Sequence, residues 1–516
     1  MTRGPQGRGI FGPGEHRICA VAAAPTAKEM ARQIRGALRE TRSIELRLDW
    51  LRNSAEIARF LAWLRRQRIQ ANFLATCRRA PHGGRFRGGL HEQIEVLRAA
   101  VEAGCRCCDI EIESLRGIRP ETARKMLPGA KLLASNHDFQ RTPKNLKAIL
   151  AETLLYGTAG AKIATQANSI ADSVRILRAA KNRKNVVAVP MGEIALPARI
   201  LALRQGSALA YAPVATATAP GQVSLPDLKN LYRAHRLSRQ TRVYGVIGDP
   251  VGHSLSPYLH NAGFVGRRID AVYLPFLVKE LPDFLKAVPE FGVRGFSVTL
   301  PHKQAILRYL DECEPLAAEI GAVNTVVVRG DGSLYGSNTD YVGVLRSLQK
   351  HLSLRGSRIL IFGAGGAARA AAFALSRAGA RVAVCSRRDS QARSLARAVG
   401  GEALPRRALR TETFDALLNA TPVGMYPRFG ISPLSPGEIH CRIVMDLVYR
   451  PERTKLLRLA ARRGCRVVPG LEMFLAQGIA QWEIWTGRHA PEAAMRRAVI
   501  SQLRTGEDSG GVRGPR

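Results

Sequence analysis

Between residues 16 and 225 short apolar runs recur, each followed by a longer stretch whose apolar residues fall at helical spacing. The runs are HRICAVAAA, SIELRLDWL, ANFLATCR, CCDIEIES, KLLASNHDF, GAKIATQA, NVVAVPMGE and ALAYAPVA. Strands alternating with helices predict a parallel sheet, and eight such units predict a closed (β/α)8, or TIM, barrel over residues 16–230. In that architecture the side chains free for chemistry stand at the C-terminal ends of the strands. The fifth run ends in Ser135, Asn136, His137 and Asp138, where more apolar residues would continue a buried strand. This polar cluster is therefore expected at the mouth of the barrel.

The stretch SLPDLKNLYRAHRLSRQTR, residues 224–242, reads as a final helix and a short polar connector. A new pattern opens at VYGVIGDP and carries strands and helices over 243–345, with FSVTLPHK, GAVNTVVV and SNTD among them. From 346 to 503 the order is strand, glycine turn, helix and strand in SRILIFGAGGAARAAAFALSRAGARVAVCSRR, the mark of a Rossmann domain. The fold class expected is α/β throughout. Residues 1–15 and 506–516, rich in glycine and charge, read as disordered.

Composition narrows the class without changing the fold. A length of 516 residues exceeds what one core usually supports, and 46% hydrophobic with 23% charged residues is the make-up of a globular protein. No apolar run approaches the ~20 residues that span a bilayer. The N-terminus has no apolar stretch of the secretory kind, so the cytoplasm is the expected location and no membrane partner is expected. Nine cysteines show no metal spacing, and no metal is expected. Lysine and arginine outnumber acidic residues by 78 to 41, a net charge of +37. The arginines are scattered, without a basic block or an RNA-binding signature, which predicts a solvated surface attractive to small anions rather than a specific nucleic-acid partner.

The polar residues at the strand ends of the barrel are Glu45, Arg47 and Asp49 on the second strand, Arg78 on the third, Asp109 and Glu111 on the fourth, and His137 on the fifth. The sixth carries Lys162 within GAKIAT. An amine among small apolar residues and near Arg47, Arg78 or Arg199 is expected to have a lowered pKa and to attack a ketone. The same residues allow another reading, a lysine paired with Glu111 or Asp109 in a structural network. His137 supplies a group able to move protons near neutral pH. Arg199 suits a carboxylate, and Thr218 and Gln222 suit hydroxyls, so the implied ligand is a small hydroxylated keto acid.

ELRLD, TCRR followed by GG, DIEI, SNHDF, AKIAT and APGQ, in this order, resemble type I 3-dehydroquinate dehydratase across the barrel. The resemblance implies that Lys162 forms an imine with the substrate and that His137 shuttles the protons of the dehydration. It further implies that Glu45, Arg47, Arg78, Arg199, Thr218 and Gln222 bind substrate, with Glu111 close to His137 and Lys162. Arg85 and Thr218 depart from the commoner residues at their positions.

In ILIFGAGGAAR, Gly363, Gly365 and Ala368 form a G-x-G-x-x-A turn between strand and helix, fit for a dinucleotide pyrophosphate. The turn residues Gly363, Ala364, Gly365, Gly366 and Ala367 are the expected cofactor cradle. The next strand ends in Ser386, Arg387 and Arg388, which suit the 2′-phosphate of NADP better than the 2′-hydroxyl of NAD. Upstream, Lys303 and Asp340 can relay a proton to an alcohol oxygen if they approach each other; a surface ion pair is the alternative. GHSLSP, VTLPHK, GAVNT, NTD, GAGGAAR, NATPVGM and GLEMFLAQ resemble shikimate dehydrogenase over 243–503, a two-lobed unit with a substrate domain at 243–345 and an NADP-binding domain at 346–503. That resemblance implies a catalytic pair of Lys303 and Asp340. Ser254, Ser256, Thr299, Asn324, Tyr449 and Gln477 would line the substrate site, with Met425 and Gly470 near the nicotinamide.

The two resemblances imply consecutive reactions, with 3-dehydroquinate, 3-dehydroshikimate and shikimate as the small-molecule ligands and an oligomer allowed. A quinate or shikimate dehydrogenase working oxidatively with NAD is the rival within the enzyme class. A regulatory or nucleic-acid-binding protein built on a degenerate enzyme is the rival outside it.

Overall fold

The computed structural model describes residues 17–215, 221–425 and 429–509. Compactness divides the chain into a unit of residues 1–242 with 274–292 and a unit of residues 243–273 with 293–516. Eight parallel strands form the first sheet: β1 (Ile18–Ala22), β2 (Ser43–Arg47), β3 (Asn72–Thr76), β4 (Cys107–Glu111), β5 (Lys131–Asp138), β6 (Gly160–Gln166), β7 (Val186–Met191) and β8 (Ala210–Pro213). Their order is β7-β6-β5-β4-β3-β2-β1-β8. The β7/β8 seam is joined by Ala208 N donating to Val186 O at 2.8 Å and Ala188 N to Ser207 Oγ at 3.1 Å. The sheet is thus a nearly closed barrel.

The intervening helices form where the sequence supplies both a cap and an apolar stripe. Asn53 accepts from Glu56 N at the start of the helix Ser54–Gln67, whose Ile57, Phe60, Leu61 and Leu64 are buried at the i, i+3, i+4, i+7 spacing of one helical face. Inside the barrel the two-residue period of a strand creates layers. Cys19, Leu74, Cys107, Leu133, Val187 and Leu209 pack together as an apolar floor. Two residues further along the same strands come Thr76, Asp109, Ser135 and Tyr211, and two further again Arg78, Glu111 and His137. A strand that starts apolar and ends polar therefore builds a dry floor beneath a charged mouth.

The final helix expected at the start of 224–242 is short, and the rest of the segment is connector. A single turn at Asp227–Leu231 is closed by Tyr232 N donating to Asp227 O at 2.9 Å, and Arg233 at φ +49° breaks the run. At the other end of the chain the last helix, Glu492–Ser509, runs past residue 506, where the sequence suggested disorder. The segment 1–15 lies outside the described residues.

The second half contains two sheets. The first has β9 (Arg242–Gly248), β10 (Ala271–Leu277), β11 (Val293–Val298), β12 (Glu312–Cys313), β13 (Thr325–Val328) and β14 (Leu334–Ser337), in the order β10-β9-β11-β13-β14-β12. β9 and β11 run parallel, whereas β13 is antiparallel to β11 and β14. The second has β15 (Arg358–Phe362), β16 (Arg381–Cys385), β17 (Glu402–Ala403), β18 (Phe414–Asn419), β19 (Cys441–Asp446) and β20 (Arg466–Val468). Its parallel order β17-β16-β15-β18-β19-β20 places the start of the domain in the middle and reverses direction between β15 and β18. That reversal opens a crevice at the strand ends, the usual seat of a dinucleotide.

Candidate active sites

In the barrel, Lys162 is 5% exposed on β6, paired across the sheet with Ser135 of β5. Its Nζ donates to Asp109 Oδ2 at 3.0 Å and to Glu45 Oε1 at 3.3 Å. The arginines expected around the amine are one bond further away: Arg78 Nη2 reaches Asp109 Oδ1 at 3.5 Å, and Arg47 is held by Asp49 in a fork of 2.8 and 2.9 Å. Thr76 Oγ1 donates to Glu45 at 2.8 Å and Ser135 Oγ to Asp109 at 2.5 Å, so hydroxyls hold both carboxylates in place. Burial alone would raise the Asp109 carboxyl; the charges of Lys162 and Arg78 and the Ser135 bond outweigh it and leave its pKa below the ordinary value.

Of the two carboxylates that the sequence offered Lys162, Asp109 is the one bonded to the amine. Glu111 accepts from Gln93 Nε2 (3.0 Å), Ser114 Oγ (2.9 Å) and Arg79 N (3.3 Å). His137 stands near the end of β5 with its ring stacked on Phe139 and its buried Nδ1 without a hydrogen-bond partner. Burial, helped by the charges of Arg78, Lys162 and Arg47, pushes its pKa well below the ordinary histidine value, so the ring is neutral at pH 7. Arg78 Nε is likewise buried and unpartnered. Arg199 is buried, donates through Nε to Pro190 O at 3.0 Å, and is lowered to about 10 by desolvation. Gln222 is half-buried after β8, and Thr218 lies outside the described residues. A buried amine between carboxylates, a neutral imidazole and under-paired arginines can bind an anion and move protons next to a covalent adduct.

In the second half, Lys303 Nζ donates to Asp340 Oδ2 at 2.5 Å. Asp340 opens the helix Asp340–Leu348, where the helix dipole favours its charge. Asn324 Nδ2 donates to its other oxygen at 2.8 Å and also approaches Gln477 Oε1 at 3.4 Å. The ends of β9 and β11 are tied by Thr299 N to Ile247 O and Asp249 N to Leu300 O, both 3.0 Å; Ser254 lies in the loop after β9 and Ser256 opens the helix Ser256–Gly266. Ser256 N donates to Ser254 Oγ at 3.2 Å. Tyr449 stacks on Phe474, one turn before Gln477 on the helix Gly470–Thr486.

Three family models match the chain: type I 3-dehydroquinase over residues 18–239, the shikimate dehydrogenase substrate-binding domain over 246–326, and the shikimate 5′-dehydrogenase C-terminal domain over 470–500. The bifunctional 3-dehydroquinate dehydratase/shikimate dehydrogenase of Arabidopsis thaliana, a chloroplastic protein, is 36% identical over 434 residues, 80% of this chain and 72% of the relative. The chain belongs to this bifunctional family. Its second half alone is 44% identical over 291 residues to the NADP(+) shikimate dehydrogenase of Moorella thermoacetica, covering 54% of this chain and 98% of that one. The corresponding enzyme of Methanothermobacter thermautotrophicus is 43% identical over 280 residues, 51% and 97% of the two chains.

The glycine turn of this bifunctional protein fits a dinucleotide on its own geometry. Gly363 has φ +126°, and an added Cβ would lie 3.0 Å from Ala420 O. At Gly365 the same Cβ would meet nothing within 4 Å, so space stands open at the N-terminus of the 12-residue helix Gly366–Arg377, whose first turn includes Gly366 and Ala367. Ala364 lies between the two glycines. Ser386 Oγ donates to Arg388 O at 2.8 Å, and Arg387 and Arg388 are exposed without a carboxylate partner among the described residues. Met425, 44% exposed, follows the turn after β18. Gly470 admits no side chain, since its Cβ would come within 2.6 Å of Val448 O.

Several residues at these sites were not singled out from sequence. Gln481 donates to Asn324 O and Thr325 Oγ1, both at 3.0 Å, and accepts from Ser297 Oγ at 2.8 Å. It lies four residues after Gln477, so helical spacing was the available signal. Asp446, raised to about 6 by burial despite donors from Thr454, Val448 N and Asn419, ties the end of β18 to the loop after β19. Among the described residues no helix is long and apolar enough to cross a membrane, and no group of acidic, histidine and cysteine residues is arranged to hold a metal.

Proposed function

We propose that the barrel dehydrates 3-dehydroquinate through an imine on Lys162 and that the second half reduces the resulting 3-dehydroshikimate to shikimate with NADPH, two consecutive steps toward chorismate and the aromatic amino acids. The observation that carries this is the pairing of a lysine with a carboxylate in both halves, Lys162 with Asp109 inside the barrel and Lys303 with Asp340 at the start of a helix. In the first reaction the Lys162 amine, its proton passed to a neighbouring carboxylate, adds to the ketone, and loss of one water gives the imine. His137 takes a proton from the adjacent carbon and returns it to the hydroxyl that leaves as a second water. Hydrolysis consumes one water and frees the amine, so the net change is loss of one water. Glu45, Arg47, Arg78, Arg199, Thr218 and Gln222 bind the carboxylate and hydroxyls of the substrate in this reading.

In the second reaction Lys303 and Asp340 deliver a proton to the carbonyl oxygen as it becomes an alcohol. Ser254, Ser256, Thr299, Asn324, Tyr449 and Gln477 hold the substrate. The residues from Gly363 to Ala367, with Arg387, Arg388, Met425 and Gly470, would hold NADPH, which supplies the hydride when bound. The cytoplasm is the location proposed.

The test is to supply 3-dehydroquinate and NADPH and identify the product by mass. Wild type is expected to yield shikimate, K162A to leave the substrate unchanged, and K303A to accumulate 3-dehydroshikimate. Quinate as the product would replace this reading with direct reduction of the first substrate.

A further inference from the structure

The environment of Lys162 includes a side chain that neither the strand-end pattern nor the family motifs bring forward. Its Nζ sits over the ring of Tyr211, 4.3 Å from the centroid. Asp109 and Glu45 lie at 3.0 and 3.3 Å. An ammonium has three N–H bonds, and two carboxylates and one aromatic face give each of them a partner.

The two ends of Tyr211 behave differently. The residue is half-buried and packs against the apolar floor, yet its hydroxyl oxygen is buried without a hydrogen-bond partner. The buried end of the residue is its hydroxyl, and the exposure that remains belongs to its other atoms. A buried hydroxyl with no partner contributes nothing that a phenylalanine would lack. The ring face is the part in contact with the amine.

We infer that Tyr211 is a positioning residue for Lys162 and acts through its ring: the aromatic face holds Nζ level with Asp109 and Glu45 and denies the amine the apolar floor, so that it meets a carbonyl from the mouth. The inference rests on the proposed imine at Lys162 and adds the element that aims it. Without the ring the four-carbon stem of the lysine gains freedom to sink beside Cys19 and Cys107, and imine formation slows while substrate affinity, set by the arginines above, is retained.

The experiment mixes the full-length chain with 3-dehydroquinate, reduces with sodium borohydride at successive times, and quantifies the adduct on the Lys162 peptide by mass spectrometry. If wild type gives no adduct there, the imine reading fails and the inference falls with it, a result distinct from any behaviour of the variants. Given an adduct in wild type, Y211L is expected to form it about tenfold more slowly with KM within about twofold, and Y211F to recover the rate. Y211M is a second apolar replacement, and a melting curve by circular dichroism shows whether each variant is folded. Trapping at the wild-type rate in folded Y211L or Y211M overturns the inference. So does a folded Y211F that forms the adduct about tenfold more slowly than wild type, which would assign the effect to the hydroxyl; that comparison with wild type decides the matter even if both apolar variants unfold.

Discussion

Replacing Asp109 by asparagine removes the charge of a fully buried carboxylate shared by Lys162 and Arg78 while keeping its shape. Lys162 then keeps Glu45 at 3.3 Å as its one carboxylate beside the Tyr211 ring, and Arg78, whose Nη2 reached Asp109 at 3.5 Å, loses its carboxylate. The Ser135 bond of 2.5 Å survives, because an amide oxygen still accepts it. Breaking a buried pair from one side costs about 3–5 kcal/mol, and the retained Ser135 bond argues for the lower end, about 3 kcal/mol. In a unit of this size each kcal/mol moves the melting temperature by about 2–4 °C, so D109N should melt about 6–12 °C below wild type at pH 7. Calorimetry of the full chain measures this, taking as the barrel transition the one that loss of dehydratase activity follows. The pH dependence supplies an independent check of sign. The folded Asp109 carboxyl lies below its ordinary value, so its contribution is complete above about pH 4 and is lost as the pH falls through the folded value. The gap between D109N and wild type should therefore close below about pH 4. Equal melting at pH 7, or a gap indifferent to acid, would refute the assignment of this pair as a stabilising contact.

His137 provides a second window of the same sign, nearer neutrality. Its pKa is depressed, so the stability tied to its neutral form is complete above about pH 6.5 and is lost as the pH falls toward the folded value. H137N should remove up to about 1.4 kcal/mol per pH unit from the slope of stability between pH 6 and pH 5, and lower the dehydratase rate by about 10²–10⁴ with the second half unaffected; an unchanged slope would mean that the ring is charged in the fold. Arg387→Ala should raise KM for NADPH more than for NADH, and equal changes would show that the side chain does not read the 2′-phosphate.

The barrel was legible because its eight runs alternate with helices and because a strand that starts apolar and ends polar announces which end is the mouth. Lys162 and His137 could be named on that basis. The partner of Lys162 could not be. Asp109 and Glu111 have the same parity on β4 and face the same way, so periodicity cannot separate them; depth does. Glu111 stands one layer higher, where Gln93 and Ser114 capture it. Tyr211 read as one more strand residue because its contact is made by the ring rather than by a polar tip. The segment 224–242, read as a final helix and a polar connector, shows the other limit, since the length of that helix was not legible and the left-handed Arg233 ends it early.

The two lysine–carboxylate pairs differ in the one respect that their proposed chemistry requires. Lys162 has 6% of its side chain exposed and is enclosed by Asp109, Glu45 and an aromatic ring. Lys303 has 20% exposed, with Asp340 as its partner at 2.5 Å. An amine that must attack carbon competes with water for the carbonyl and for its own proton, so enclosure favours it. An amine that only relays a proton to an oxygen gains from a strong bond to one carboxylate and from access to solvent, which replaces the proton after each turnover. Exchanging the two environments would cost each proposed reaction the feature it depends on, and this is a physical reason why similar residue types in one chain would serve an imine in the first half and a proton relay in the second.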